Sequence, residues 1–120
     1  MADVLVVDDD ENLRDVLRRI LERAGHTVRL ATDGVEAVQL LEKNRPDVVL
    51  TDIYMPGLDG VELTRILQKQ ENPPAVIGMS GKPKPMALDM VTLQGASATL
   101  NKPFMPQELL DTIERVLVKD

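Results

Sequence analysis

The sequence predicts an α/β protein built on a doubly wound parallel sheet, on three observations. Short aliphatic runs alternate with amphipathic segments along the whole chain. The runs are continuous rather than alternating, as in strands buried on both faces. Turn and cap residues punctuate the passages from run to helix. The elements follow in order. Val4-Leu5-Val6-Val7 is the first strand and ends in Asp8-Asp9-Asp10. Leu13, Val16, Leu17, Ile20, Leu21 and Ala24 then recur on one face of a helix, which Gly25 stops. Val28-Arg29-Leu30-Ala31 is the second strand. Ala37, Val38, Leu40 and Leu41 mark the second helix, with Asp33 and Glu36 spaced as a capping box. Val48-Val49-Leu50 leads to Thr51-Asp52, and Val61, Leu63, Ile66 and Leu67 mark a third helix ended by Asn72-Pro73-Pro74. Ala75-Val76-Ile77-Gly78-Met79 is the fourth strand and is followed by Ser80-Gly81. Pro83 and Pro85 forbid a helix interior, so the fourth helix starts near Pro85, and Met86, Leu88, Met90, Val91 and Leu93 leave several apolar groups on a short element, more often core than contact, with some exposed. Ala98-Thr99-Leu100 and a helix carrying Leu109, Leu110, Ile113, Val116 and Leu117 complete the alternation, with Pro106 in that helix's first turn.

Composition narrows the function. A chain of 120 residues fits one domain, residues 1–120. Fourteen basic against 20 acidic residues leave a formal charge of −6, the wrong sign for a surface that tracks phosphates. Tyr54 and Phe104 are the only aromatics, so stacking on nucleic-acid bases is nearly excluded. The absence of cysteine removes disulfides, thiol catalysis and thiolate metal sites, and fits a cytoplasmic setting. No apolar run is long enough for a bilayer, and the N-terminus lacks a signal-peptide layout.

In open α/β sheets ligands bind beyond the carboxyl ends of the strands. Those ends offer Asp8-Asp9-Asp10, Asp52, Ser80 and, after Asn101, Lys102-Pro103. Carboxylates about 4 Å apart repel by about 4 kcal/mol at an effective dielectric near 20, so the cluster needs a cation. Oxygen ligands without cysteine or a strand-end histidine suit a hard ion, most simply Mg²⁺. A carboxylate flanked by Mg²⁺, a hydroxyl and an ammonium is a good phosphoryl acceptor, because the three neutralise the charge on the equatorial oxygens. Each piece has a plainer use: an acid after a strand often caps a helix, serine often ends strands, and Lys-Pro is usually a turn. Their order at successive strand ends favours a site. His26, the only histidine, falls at the opposite end of the sheet as a turn residue.

The runs Val4-Leu5-Val6-Val7-Asp8-Asp9-Asp10, Asp52-Ile53-Tyr54-Met55-Pro56-Gly57-Leu58-Asp59-Gly60, Met79-Ser80-Gly81 and Gly95-Ala96-Ser97 through Lys102-Pro103-Phe104 resemble a response regulator receiver domain of two-component signalling. The resemblance covers the whole chain. It implies a flavodoxin-like fold of five strand–helix units with strand order 2-1-3-4-5. It implies that Asp52 accepts the phosphoryl group, and that Asp8, Asp9, Asp52 and the Tyr54 backbone carbonyl hold Mg²⁺. Ser80 and Lys102 would contact phosphoryl oxygens, with a cis Lys102–Pro103 peptide, and Pro56 and Gly57 would shape the loop after Asp52. The implied donor is a phosphohistidine on a histidine kinase or phosphotransfer protein, docking around helix one. That helix carries Arg14, Arg18 and Arg19 on its polar side, where a solvated face is the plainer reading and part of the docking surface the functional one. An effector would bind the face of helix four, strand five and helix five. Such a domain is not a conventional enzyme; it catalyses its own phosphorylation and slow dephosphorylation, as a monomer or weak dimer. Met1 directly before the first strand and the chain's close on its fifth helix predict a natural start and no attached output domain.

Two positions depart from the pattern. Thr99 stands three residues before Lys102, where the resemblance calls for a switch tyrosine or phenylalanine. A change on phosphorylation would then pass through Ser80, strand four and its following loop. The Lys82-Pro83-Lys84-Pro85 stretch is stiff and basic, and Lys82 lies two residues after Ser80, close enough to stand beside the phosphate. Tyr54, two residues after Asp52, is placed to shield an aspartyl phosphate from water. The competing readings are an interaction module that signals without phosphorylation, which Thr99 favours and the intact Asp8, Asp9, Asp52, Ser80 and Lys102 set opposes, and an aspartyl-nucleophile phosphatase, which lacks its Asp-x-Asp-x-Thr run and its cap. A flavin or nicotinamide binder lacks its Gly-x-Gly-x-x-Gly run after the first strand.

Overall fold

The computed structural model describes residues 1–81 and 85–118, the side chains of residues 85–87 excepted. Strands β1 (Asp3–Val7), β2 (Thr27–Ala31), β3 (Val48–Asp52), β4 (Ala75–Ser80) and β5 (Ala98–Asn101) alternate with helices α1 (Glu11–Arg23), α2 (Gly34–Lys43), α3 (Gly60–Gln68), α4 (Pro85–Leu93) and α5 (Pro106–Leu117). The sheet is parallel throughout, in the order β2-β1-β3-β4-β5, as the sequence predicts.

Alternate residues of each strand feed two cores, one on each face of the sheet. Val4, Val6, Leu50, Ile77 and Met79 pack with Leu17 and Leu21 of α1 and Leu109, Ile113 and Val116 of α5. Leu5, Val7, Val49 and Val76 pack with Ala37 and Leu41 of α2 and Leu63 and Leu67 of α3. The central strands β1, β3 and β4 are almost wholly buried, whereas the edge strands β2 and β5 are only partly so. The continuous runs at Val28 and Ala98 overstate burial there, because an edge strand lacks a neighbour on one side.

Local chemistry sets the helix ends. Asp10, Asp33 and Asp59 are N-caps whose carboxylates accept backbone N–H groups of α1, α2 and α3, each worth about 1 kcal/mol. The capping box of α2 is half-formed: Asp33 accepts from the Glu36 amide at 2.8 Å, but the Glu36 carboxylate reaches past it to the Thr32 amide at 2.6 Å. Helix α1 ends in a Schellman turn. Gly25 takes φ +96°, its N–H bonds to Glu22 O, and the His26 N–H bonds to Leu21 O. Helix α3 stops at Gln68, short of Asn72-Pro73-Pro74. The chain tightens into turns at Lys69 and Gln70, and Asn72, barred from helical backbone by the proline after it, takes φ +52°.

Helix α4 begins at Pro85, as expected. Val91 is buried while Met90 and Leu93 are exposed; the expectation for Met86 lies outside the described residues, as do those for Lys82, Pro83 and Lys84. Val16 of α1 is half-exposed, so the apolar stripe of that helix is wider than the face the sheet covers.

Candidate functional site

The sheet order reverses beside β1, which lies between β2 and β3. Helices leave this point to opposite faces, and a cleft opens beyond the strand ends. Register fills it with acids. Val7 pairs with Thr51, so Asp8 and Asp52 follow side by side. Asp8, Asp9 and Asp52 each offer a carboxylate oxygen within 4.8 Å of the others. Asp8 and Asp52 are buried and Asp9 is exposed. The acid triplet after β1 therefore divides: Asp10 is the plain helix cap, and Asp8 and Asp9 face the cluster.

Lys102 enters from the next strand end but one. Its Nζ lies 2.9 Å from Asp8 Oδ2 and 3.4 Å from Asp52 Oδ2. The Lys102 N–H donates to Ser80 O at 2.7 Å, which ties the lysine's backbone to the end of β4. The Lys102–Pro103 peptide is cis. Ser80 is buried at the tip of β4, opposite Asn101 in register. Asp8 Oδ1 accepts the Asp10 N–H at 2.9 Å, and Asp52 Oδ1 is 3.4 Å from the Tyr54 N–H.

Burial pushes the Asp52 carboxyl above its ordinary value; the Lys102 ammonium pulls it down and the Asp8 carboxylate pushes it up again. The loop after Asp52 is shaped by close approach rather than by charge. A Cβ on Gly60 would stand 2.4 Å from Asp52 O, so only glycine lets α3 begin against the acceptor's own backbone. Gly57 takes φ +77° two residues after Met55.

The donor set fits a small hard cation. Three carboxylate oxygens within 4.8 Å of one another, with no sulfur or nitrogen donor among them, are near enough to draw together on such an ion.

The sequence matches the response regulator receiver domain family over residues 4–114. The chain belongs to that family. The response regulator MprA of Mycobacterium sp. strain KMS is 40% identical over 114 residues, covering 95% of this chain and 50% of the relative. The chain thus spans about half the length of the curated relatives it matches. Chemotaxis protein CheY4 of Vibrio cholerae is similar in structure, with TM-score 0.89 and 35% identity over 98% of this chain and 99% of that one. The NtrX receiver domain from Brucella abortus gives 0.93 and 32% over 98% and 100%.

Within this receiver the expected residues divide cleanly. Asp8, Asp9, Asp52 and Lys102 meet at one point, with Ser80 at the neighbouring strand tip. Thr99 does not join them. It is partly buried in mid-strand, paired with Gly78 across β4 and β5. His26 sits at the far end of the sheet, where its Nδ1 accepts the Ala2 N–H at 3.1 Å. Sequence reading put Arg14 on a polar helix face. The structure turns it back, and its Nη1 donates to Asp8 O at 2.6 Å. The available signal was its spacing: Arg14 is the first residue whose N–H closes a helical bond onto Asp10, and helical side chains lean toward the N-terminus.

Proposed function

We propose that Asp52 accepts a phosphoryl group from a phosphohistidine on a histidine kinase or phosphotransfer protein. The observation that carries this is the convergence of Asp8, Asp9 and Asp52 with Lys102 on one side. An Asp52 oxygen bonds to phosphorus as the donor's nitrogen–phosphorus bond breaks. The imidazole leaves with that electron pair and takes up a proton. Asp8, Asp9, Asp52 and the Tyr54 carbonyl would hold Mg²⁺, which supplies positive charge to the transferring oxygens. Lys102 pairs with a phosphoryl oxygen, exchanging one carboxylate contact for another anion, and the Ser80 hydroxyl donates to a third oxygen. Later, water attacks phosphorus, the bond to Asp52 breaks, and inorganic phosphate leaves.

Two surfaces suit the partners. A groove of about 400 Å³ between α1 and the loop after β5, lined by Leu13, Val16, Ile20, Lys102 and Phe104, would seat the phosphodonor. Exposed Met90 and Leu93 put apolar area on the α4 side, where an effector would bind. We read residues 1–120 as one receiver domain, monomeric or weakly dimeric and cytoplasmic. The described residues include no helix long and apolar enough to cross a membrane.

Incubation with acetyl phosphate and Mg²⁺, followed by mass analysis of the peptide around Asp52, tests the acceptor. A phosphoryl adduct lost in Asp52→Asn supports it. An unmodified wild-type chain leaves the second reading, a module that binds partners without phosphorylation. Thr99 favours that reading, because its short side chain cannot act as an aromatic switch.

A further inference from the structure

We propose that Arg14 is a positioning residue for the metal, resting on the Mg²⁺ reading above. The carbonyl it grips, Asp8 O, belongs to the peptide unit that joins Asp8 to Asp9. Fixing that one plane sets the backbone on either side of it, and so sets where both carboxylates point. Arg14 is well placed for the task. It lies one turn into α1, partly buried, and its charge-assisted bond is 2.6 Å long. The other restraints on the turn bear on its flanks. Asp8 N–H is held by Ala31 O, Asp10 N–H by Asp8 Oδ1, and Asp10 is fixed as the cap of α1. Asp9 is the exposed member of the cluster, and the Arg14 bond clamps the peptide leading into it.

The positioning role and simple electrostatics predict opposite signs. Arg14 is a cation near a cation site, so by charge alone its removal would tighten Mg²⁺ binding. If it positions the ligands, its removal weakens binding, by about tenfold as for other groups that orient metal ligands. The test is a Mg²⁺ titration of the whole chain, followed by amide shifts of Asp9, Asp52 and Ile53. It compares wild type, Arg14→Gln, Arg14→Lys and Arg18→Gln. Arg18 lies on the same helix, pairs only loosely with Asp15 at 3.6 Å and removes the same charge. The expected result is weaker binding in Arg14→Gln, partial recovery in Arg14→Lys and wild-type affinity in Arg18→Gln. Equal or tighter binding in Arg14→Gln overturns the proposal while leaving the Mg²⁺ reading intact. Equal weakening in Arg18→Gln overturns it too. A wild type that does not bind Mg²⁺ overturns the reading beneath it. Amide exchange of Asp9 and Asp10 without metal gives a second measure. Faster exchange in Arg14→Gln supports the clamp, and unchanged exchange counts against it.

Discussion

Lys102 Nζ lies 2.9 Å from Asp8 Oδ2, joining residues 94 apart in the chain. Asp8 is almost fully enclosed and the lysine side chain is 19% exposed, so this pair is closer to a buried ion pair than to a surface one. Removing one member of such a pair strands the other charge, at about 3–5 kcal/mol. The figure falls toward the lower end here because the lysine retains some solvent. Lys102→Met should therefore lose about 3 kcal/mol in urea unfolding without Mg²⁺. Saturating Mg²⁺ should restore part of that, since it supplies a second cation to the same carboxylates. Equal loss with and without Mg²⁺ would separate Lys102 from the metal site.

Asp9 should behave in the opposite sense. It brings a third negative charge to Asp8 and Asp52, one that Lys102 does not contact among the described ion pairs. Asp9→Asn should raise the melting temperature in metal-free buffer and abolish the further rise that Mg²⁺ gives the wild type. A variant no more stable than wild type without metal would show that the three charges are already screened.

The fold was legible because each level of the sequence agreed with the next. Aliphatic runs, helix periodicity and caps all pointed to the same alternation, and the strand ends carried Asp8, Asp9, Asp52, Ser80 and Lys102 in order. Three features escaped for physical reasons. The half-exposure of β2 and β5 depends on which strands end up at the sheet edges, which run composition does not encode. The early end of α3 reflects a conflict between Asn72 and the proline after it, felt one turn upstream. Arg14 looked like a solvated helix residue because its contact is with a backbone carbonyl, and a carbonyl has no letter in the sequence.

Tyr54 follows Asp52 by two residues and is partly buried beside it, next to Met55 and Pro56. Its backbone N–H lies 3.4 Å from Asp52 Oδ1, and a ring held over that carboxylate would limit the approach of water to an aspartyl phosphate. Tyr54→Ala should shorten the phosphate's lifetime, read by chasing radiolabel from the phosphorylated chain after the donor is removed. A lifetime that is unchanged or longer rejects the shielding role.

Gly60 should tolerate no side chain. An added Cβ would meet Asp52 O at 2.4 Å and Ile53 Cα at 2.8 Å, and both are backbone atoms that cannot swing away. Overpacking of this kind costs about 1–3 kcal/mol. Gly60→Ala should lose that much in chemical denaturation and should also slow phosphorylation by acetyl phosphate, because relief of the clash displaces the acceptor's peptide. Loss of stability with an unchanged phosphorylation rate would show that α3, not Asp52, absorbs the strain.

His26 gives the receiver a pH dependence away from the site. Burial lowers its pKa from the ordinary 6.5, the nearby N-terminal ammonium lowers it further, and Glu114 opposes both. The hydrogen bond agrees in sign, since Nδ1 must be unprotonated to accept the Ala2 N–H. The unfolded chain therefore binds the proton more readily than the folded one. The contribution to stability is fully present above pH 6.5 and is lost as pH falls through the lowered folded value. Urea unfolding measured between about pH 5 and 7.5 should show stability rising with pH in that window. His26→Gln, whose amide oxygen can still accept from Ala2, should flatten the rise without abolishing folding. The same slope in wild type and variant would assign the dependence to carboxylates instead.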